Sequence, residues 1–150
     1  MDIDFLRNVS LFKGLNEEGL KALAELCFTR EFAKEGVIIL AEQEGDTLFI
    51  IREGQVKVCI SSEEGREVIL SLLGPGSVFG ELALLDGKLR SANVIATDAT
   101  SLVMLRRSDF QQLIYKTPEI AMALLAELAG RLRRTDRQIE GLALLDVTSR

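Results

Sequence analysis

The residues best suited to chemistry lie in one stretch, Phe79-Gly80-Glu81-Leu82-Ala83-Leu84-Leu85-Asp86-Gly87-Lys88-Leu89-Arg90-Ser91-Ala92. Gly80 carries no Cβ, so the backbone there can approach a ligand closely. Glu81 to Leu85 are good helix formers that follow a glycine-rich approach, Gly74-Pro75-Gly76-Ser77. A single helical turn in this place leaves its first N–H groups unpaired and available to an anion. Gly87 ends that turn. The chain then brings in Arg90, whose planar fork binds phosphate oxygens bidentately, and Ser91, a hydroxyl donor. Glu81 repels a phosphate but accepts hydrogen bonds from hydroxyls, so the stretch is suited to a ligand that carries both.

A cyclic nucleotide has that combination, one negative charge and one free ribose 2′-hydroxyl. Gly80-Glu81-Leu82-Ala83 followed by Arg90-Ser91-Ala92 closely resembles the phosphate-binding cassette of cyclic nucleotide-binding domains. Such domains occur in bacterial regulators of the catabolite-activator type (the CRP/FNR family), in protein kinase regulatory subunits and in ion channels. The resemblance implies that Arg90 and Ser91 hold the cyclic phosphate with backbone amides near Leu82 and Ala83. It implies that Glu81 and the Gly80 backbone hold the ribose. The competing reading is a glycine-bounded turn with a surface arginine.

Composition narrows the field. A chain of 150 residues, 47% hydrophobic, is long enough for one domain with a substantial core. The formal net charge of −5 argues against a nucleic-acid or membrane-surface binder, so local geometry has to hold any anion against the overall field. No stretch approaches the ~20 apolar residues of a membrane span, and the N-terminus has no basic-then-apolar signal pattern. Cys27 and Cys59 are far apart and in no motif, which predicts reduced thiols and a cytoplasmic setting. The chain has no histidine. That removes His-dependent nucleophilic catalysis, most zinc sites and the usual haem ligand, and two isolated cysteines do not hold a four-cysteine iron–sulfur cluster. The expectation is a binding protein with no metal or prosthetic group and no catalytic residue.

The elements that must position the cassette are short and β-rich. Val37–Leu40, Leu48–Arg52, Val56–Ile60, Glu67–Leu72, Asn93–Thr97 and Ser101–Leu105 read as strands, separated by glycine turns such as Glu44-Gly45-Asp46, Glu53-Gly54 and Glu64-Gly65. Gly45 and Gly54 are expected at positive φ. Val56-Lys57-Val58-Cys59-Ile60 alternates like a half-buried strand. Many short strands at roughly ten-residue spacing predict an antiparallel β-roll, jelly-roll-like, with flanking helices: a mainly β, α+β class. Before it, Asn16-Glu17-Glu18 starts a helix whose stripe is Leu20, Leu23, Ala24 and Cys27. The segment Phe5–Phe12 shows no clean period. After the roll, Ser108 is expected to cap a short helix to about Lys116.

Thr117-Pro118-Glu119 opens a long helix to about Leu145, roughly 40 Å at 1.5 Å per residue. Ala121, Leu125, Leu128, Leu132, Thr135, Ile139 and Leu142 are spaced by four and three residues in alternation, a heptad seam that pairs two helices. Leu124, Ala129 and Ala143 widen the stripe on one flank, toward the chain's own roll. In catabolite-activator-type proteins a threonine at the position of Thr135, followed by serine, contacts the purine. Here the neighbour is Asp136, which accepts from an exocyclic amine or from guanine N1–H and N2 together. Ser91 rather than threonine leans back toward cAMP. The Arg131, Arg133, Arg134 and Arg137 cluster reads as a solvated helix face.

The expected organisation is a roll with N-terminal helices over 1–116, a dimerisation helix over 117–145, and at 146–150 the start of a DNA-binding domain, where Asp146 resembles the cap of a helix-turn-helix unit. The expected activity is cyclic nucleotide binding, cAMP over cGMP, passed through a homodimer to DNA by that further domain. The alternatives are the same fold sensing a non-nucleotide anionic metabolite, and a ligand-free dimerisation module.

Overall fold

The computed structural model describes residues 2–41, 45–80 and 92–148, and side chains of the last helix as far as 134, except 131. Eight strands form two antiparallel four-stranded sheets. They are β1 (Phe28–Phe32), β2 (Val37–Ile39), β3 (Thr47–Glu53), β4 (Val56–Ser61), β5 (Glu67–Leu73), β6 (Val78–Phe79), β7 (Asn93–Ala96) and β8 (Thr100–Arg106). One sheet runs β1-β8-β3-β6 and the other β2-β7-β4-β5. The expected β-roll is therefore present. Two strands lie outside the runs named above: β1, with its polar Thr29-Arg30-Glu31 centre, and β6, only two residues long.

β3 and β8 carry the architecture because both faces of each are buried. Phe49, Ile51, Leu102 and Met104 point between the sheets and meet Ile39, Val56, Phe79 and Val94. Leu48, Ile50, Val103 and Leu105 point the other way, into a core shared with the helices. Near-continuous apolar runs such as Leu48-Phe49-Ile50-Ile51 are what burial on both faces requires. The alternation expected along β4 fails at Cys59, where the pairing with β5 shifts register between Val58 and Cys59. Such a bulge reverses the parity of the strand, and Cys59 is buried whereas Ile60 is exposed.

The N-terminal segment is more ordered than its pattern indicated. Helix α1 (Ile3–Arg7) and the 3₁₀ turn Ser10–Phe12 bury Leu6, Leu11 and Phe12. Elements of one or two turns are too short to display a period. Helix α2 (Glu17–Leu26) is capped as expected, with Asn16 Oδ1 accepting from the Gly19 N–H at 2.8 Å. Helix α3 (Arg107–Lys116) corrects the reading of Ser108: Arg106 is the N-cap residue, and no side-chain hydrogen bond caps this helix. Helix α4 spans Pro118–Thr148, three residues beyond the expected end, and includes Asp146.

Cys27, at the C-terminal end of α2, is a free thiol whose pKa burial pushes up from 9.0 to about 12. The folded state thus favours the neutral thiol. Below pH 9 neither state ionises. From pH 9 to 12 the unfolded chain releases a proton that the folded chain retains, so stability falls as pH rises. Urea unfolding at pH 8 and pH 10.5 should show that fall in the wild type and a smaller one in Cys27→Ala. Equal slopes would mean that the thiol is accessible to solvent.

Candidate functional site

Two rigid edges flank the cassette. On the entry side, the turn Gly74–Ser77 is bonded to β3 by the backbone: Gly76 N–H donates to Ile51 O at 2.7 Å, and Ile51 N–H donates to Ser77 O at 2.9 Å. Gly76 adopts φ +88°. Phe79 then stacks nearly parallel on Phe49, ring centroids 5.0 Å apart and 9° between planes. With Phe79 fixed, Gly80 turns the chain at φ +77°, a conformation that residues with a Cβ rarely adopt. The sequence placed Gly80 at a close approach to a ligand; its positive φ is a separate, conformational reason for glycine there.

On the exit side, Asn93 opens β7, and its Oδ1 accepts from Ala41 N–H at 2.7 Å. The far end of β7 is tied at both neighbours. Ala96 N–H donates to Gly36 O, and Thr97 N–H donates to Gln55 O, each at 2.9 Å. The chain leaves one sheet at Phe79 and enters the other at Asn93, so the cassette is the connection between the two sheets. Glu81, Leu82, Ala83, Arg90 and Ser91 lie outside the described residues. Nearby on the second sheet, Val58 and Leu73 are only partly buried against the inter-sheet core.

The long helix carries the remaining candidates. Thr135 and Asp136 are on α4, and their side chains, with those of Ile139 and Leu142, are outside the described set. Of the described seam residues, Leu125 is 56% and Leu132 63% exposed, whereas Leu128 packs partly on the domain's own core. Ile120 and Leu124, on the adjoining flank, are buried in that core. The helix thus has two apolar faces, one used within the chain and one uncovered. Residues that sequence reasoning passed over are Phe49, Phe79 and Asn93. Nothing in an apolar run marks Phe49 and Phe79 as a stacked pair, and an asparagine bond across 52 positions has no local signal.

A cyclic nucleotide-binding domain model matches residues 29–117. The chain belongs to that family. A cAMP-activated global transcriptional regulator CRP of Pasteurella multocida is 38% identical over 125 residues, 83% of this chain and 60% of the relative. A CRP-like cAMP-activated global transcriptional regulator of Mycobacterium tuberculosis is 31% identical over 98% of this chain and 66% of its own length. Among solved structures, the N-terminal domain of a transcriptional regulator from Streptomyces coelicolor superposes with a TM-score of 0.82 at 34% identity, covering 91% of this chain and 95% of the other. The Thermus thermophilus catabolite activator protein gives 0.74 at 35% identity, over 89% of this chain and 63% of the other. The chain therefore spans about three-fifths of the length of several of these relatives. These relatives are regulators. No described helix is long and apolar enough to cross a membrane.

Proposed function

We infer that this chain is the effector-binding and dimerisation part of a transcription regulator of the CRP/FNR family, with cAMP as effector in preference to cGMP. The observation that carries the reading is the Gly80–Ala92 motif at the junction of the two sheets, entered through the positive-φ Gly80. In this reading Arg90 and Ser91 neutralise and hydrogen-bond the cyclic phosphate together with amides near Leu82 and Ala83. Glu81 accepts from the ribose hydroxyl, and Thr135 and the partner's Asp136 meet the base. The uncovered Leu125 and Leu132 support pairing of α4 with a second copy, since exposed leucines at seam spacing remain costly until covered.

A ligand that touches both the roll and α4 favours one arrangement of the two, by no more than its differential affinity for them. A DNA-binding domain following α4 would read that arrangement as the spacing of its recognition helices. Calorimetric titration with cAMP and then cGMP tests the effector. Micromolar or tighter binding, stronger for cAMP, is expected. Binding of neither by the folded chain would overturn the nucleotide reading and favour another anionic metabolite.

A further inference from the structure

Asparagine is depleted from β-strands, yet it opens β7. Core packing does not account for it. Val94 and Ala96 are buried, and Val94 belongs to the core between the sheets. Successive strand residues face opposite ways, so Asn93 lies on the outer face of its sheet, away from that core and from a ligand held between the sheets.

Its hydrogen-bond partner does account for it. β2 and β7 are antiparallel, with Ile39 opposite Val94. Continued by two residues, that register would set Ala41 opposite Ala92, the last residue of the cassette motif. The Ala41 N–H is bonded to no main-chain carbonyl there; it donates to Asn93 Oδ1 at 2.7 Å, in a part-buried position. A partly buried N–H beyond the end of a strand has to find an acceptor. A side-chain carbonyl supplies one without holding residue 92 in the ladder, so the cassette is free to leave the sheet at that point. On its other side the backbone of Asn93 pairs with Cys59 of β4. Asn93 is thus held between β4 and the chain leaving β2, two residues after Ser91 and three after Arg90.

We propose that Asn93 is a positioning residue of the binding site: its bond to Ala41 fixes the point at which the chain leaves the cassette, and thereby sets Arg90 and Ser91 for the ligand's phosphate. The inference rests on the reading of Gly80–Ala92 as an anion-binding cassette. A residue that only ordered the sheet would change stability alone. One that sets the cassette exit changes affinity in a chain that is fully folded, because a less preorganised site spends binding energy on its own ordering.

Calorimetric titration with cAMP, well below the thermal midpoint and in 0.5 M salt, tests it in the wild type, Asn93→Ala, Asn93→Asp and Asn16→Ala. Asn93→Ala should raise Kd about three- to tenfold, the worth of one lost hydrogen bond. Asn93→Asp keeps an acceptor for Ala41, and with its charge screened it should bind within about twofold of the wild type. Asn16→Ala loses a comparable bond, to Gly19 N–H at 2.8 Å, and should leave Kd unchanged. An aspartate variant as weak as the alanine one, or an equal loss in Asn16→Ala, overturns the proposal, as does an unchanged Kd in Asn93→Ala. Hydrogen exchange of the unliganded chains separates this proposal from the nucleotide reading. Asn93→Ala should lower protection over 92–94 and leave 78–79 unchanged. If the wild type binds no cyclic nucleotide but that local loss is seen, the nucleotide reading fails and Asn93 keeps its role at the cassette exit. If neither is seen, both fall.

Discussion

Calorimetric titration is expected to show Arg90→Ala binding cAMP about 2–5 kcal/mol more weakly than the wild type, the range for removing one partner of a buried charge pair. That is roughly a 30-fold to several-thousand-fold rise in Kd. The size follows from the chain's own charge. At a net −5 the protein would repel an anionic ligand at long range, so in the proposed site the phosphate would depend on one guanidinium and a few aimed N–H groups. Arg90→Lys keeps the charge and loses the two-pronged fork, and an intermediate loss is expected. Neither substitution should move the unliganded thermal midpoint much, because a single arginine side chain adds little apolar burial to the cores of the described residues. A loss below tenfold in Arg90→Ala would remove this residue from the phosphate site.

Gly54→Ala is expected to destabilise the fold by about 2–5 kcal/mol, combining a strained backbone conformation with a steric clash. Gly54 joins β3 to β4 at φ +97°. A Cβ there would lie 2.5 Å from Thr100 Oγ1, 2.6 Å from Ala99 O and 2.8 Å from Thr100 Cα. Two of those three atoms are backbone, and Thr100 is itself buried with its hydroxyl bonded to Asp98 O at 2.9 Å. Nothing there yields cheaply. Gly65 is the control: it has φ +80°, but a Cβ at this position would meet no neighbouring heavy atom within 4 Å. Gly65→Ala therefore meets only the conformational cost, about 1–2 kcal/mol. Urea midpoints of the two variants should differ clearly. If Gly54→Ala unfolds no earlier than Gly65→Ala, the contact with Thr100 is looser than its geometry indicates.

The motif was legible because anion binding needs particular residue types within a short span, and Gly80, Glu81, Arg90 and Ser91 are near neighbours in the chain. The Asn16 cap was legible for the same reason: donor and acceptor are three residues apart. The strands were read to within a residue or two where β-branched runs end in glycine. Reasoning from hydroxyl capping failed at Ser108, since α3 begins directly from β8, where Arg107 N–H already donates to Asp46 O at 2.7 Å. The polar β1 was hidden too. It is a strand because it pairs with β8, and its Arg30 and Phe32 interact with each other by cation–π contact, 5.1 Å from guanidinium carbon to ring centroid.

What the sequence alone determined is thus local: a glycine-and-arginine motif, the helix starts at Asn16 and Pro118, the glycine turns and a heptad along α4. The tertiary structure decided what depends on distant partners. It stacked Phe79 on Phe49 to steady the entry to the motif. It assigned opposite faces of β3 and β8 to two separate cores. It also divided the stripe of α4, burying Ile120 and Leu124 within the chain and leaving Leu125 and Leu132 uncovered. Periodicity records that a residue is apolar and which face of its element it occupies. Which surface covers that face is set by chain segments a hundred positions away, and no spacing within one helix encodes it.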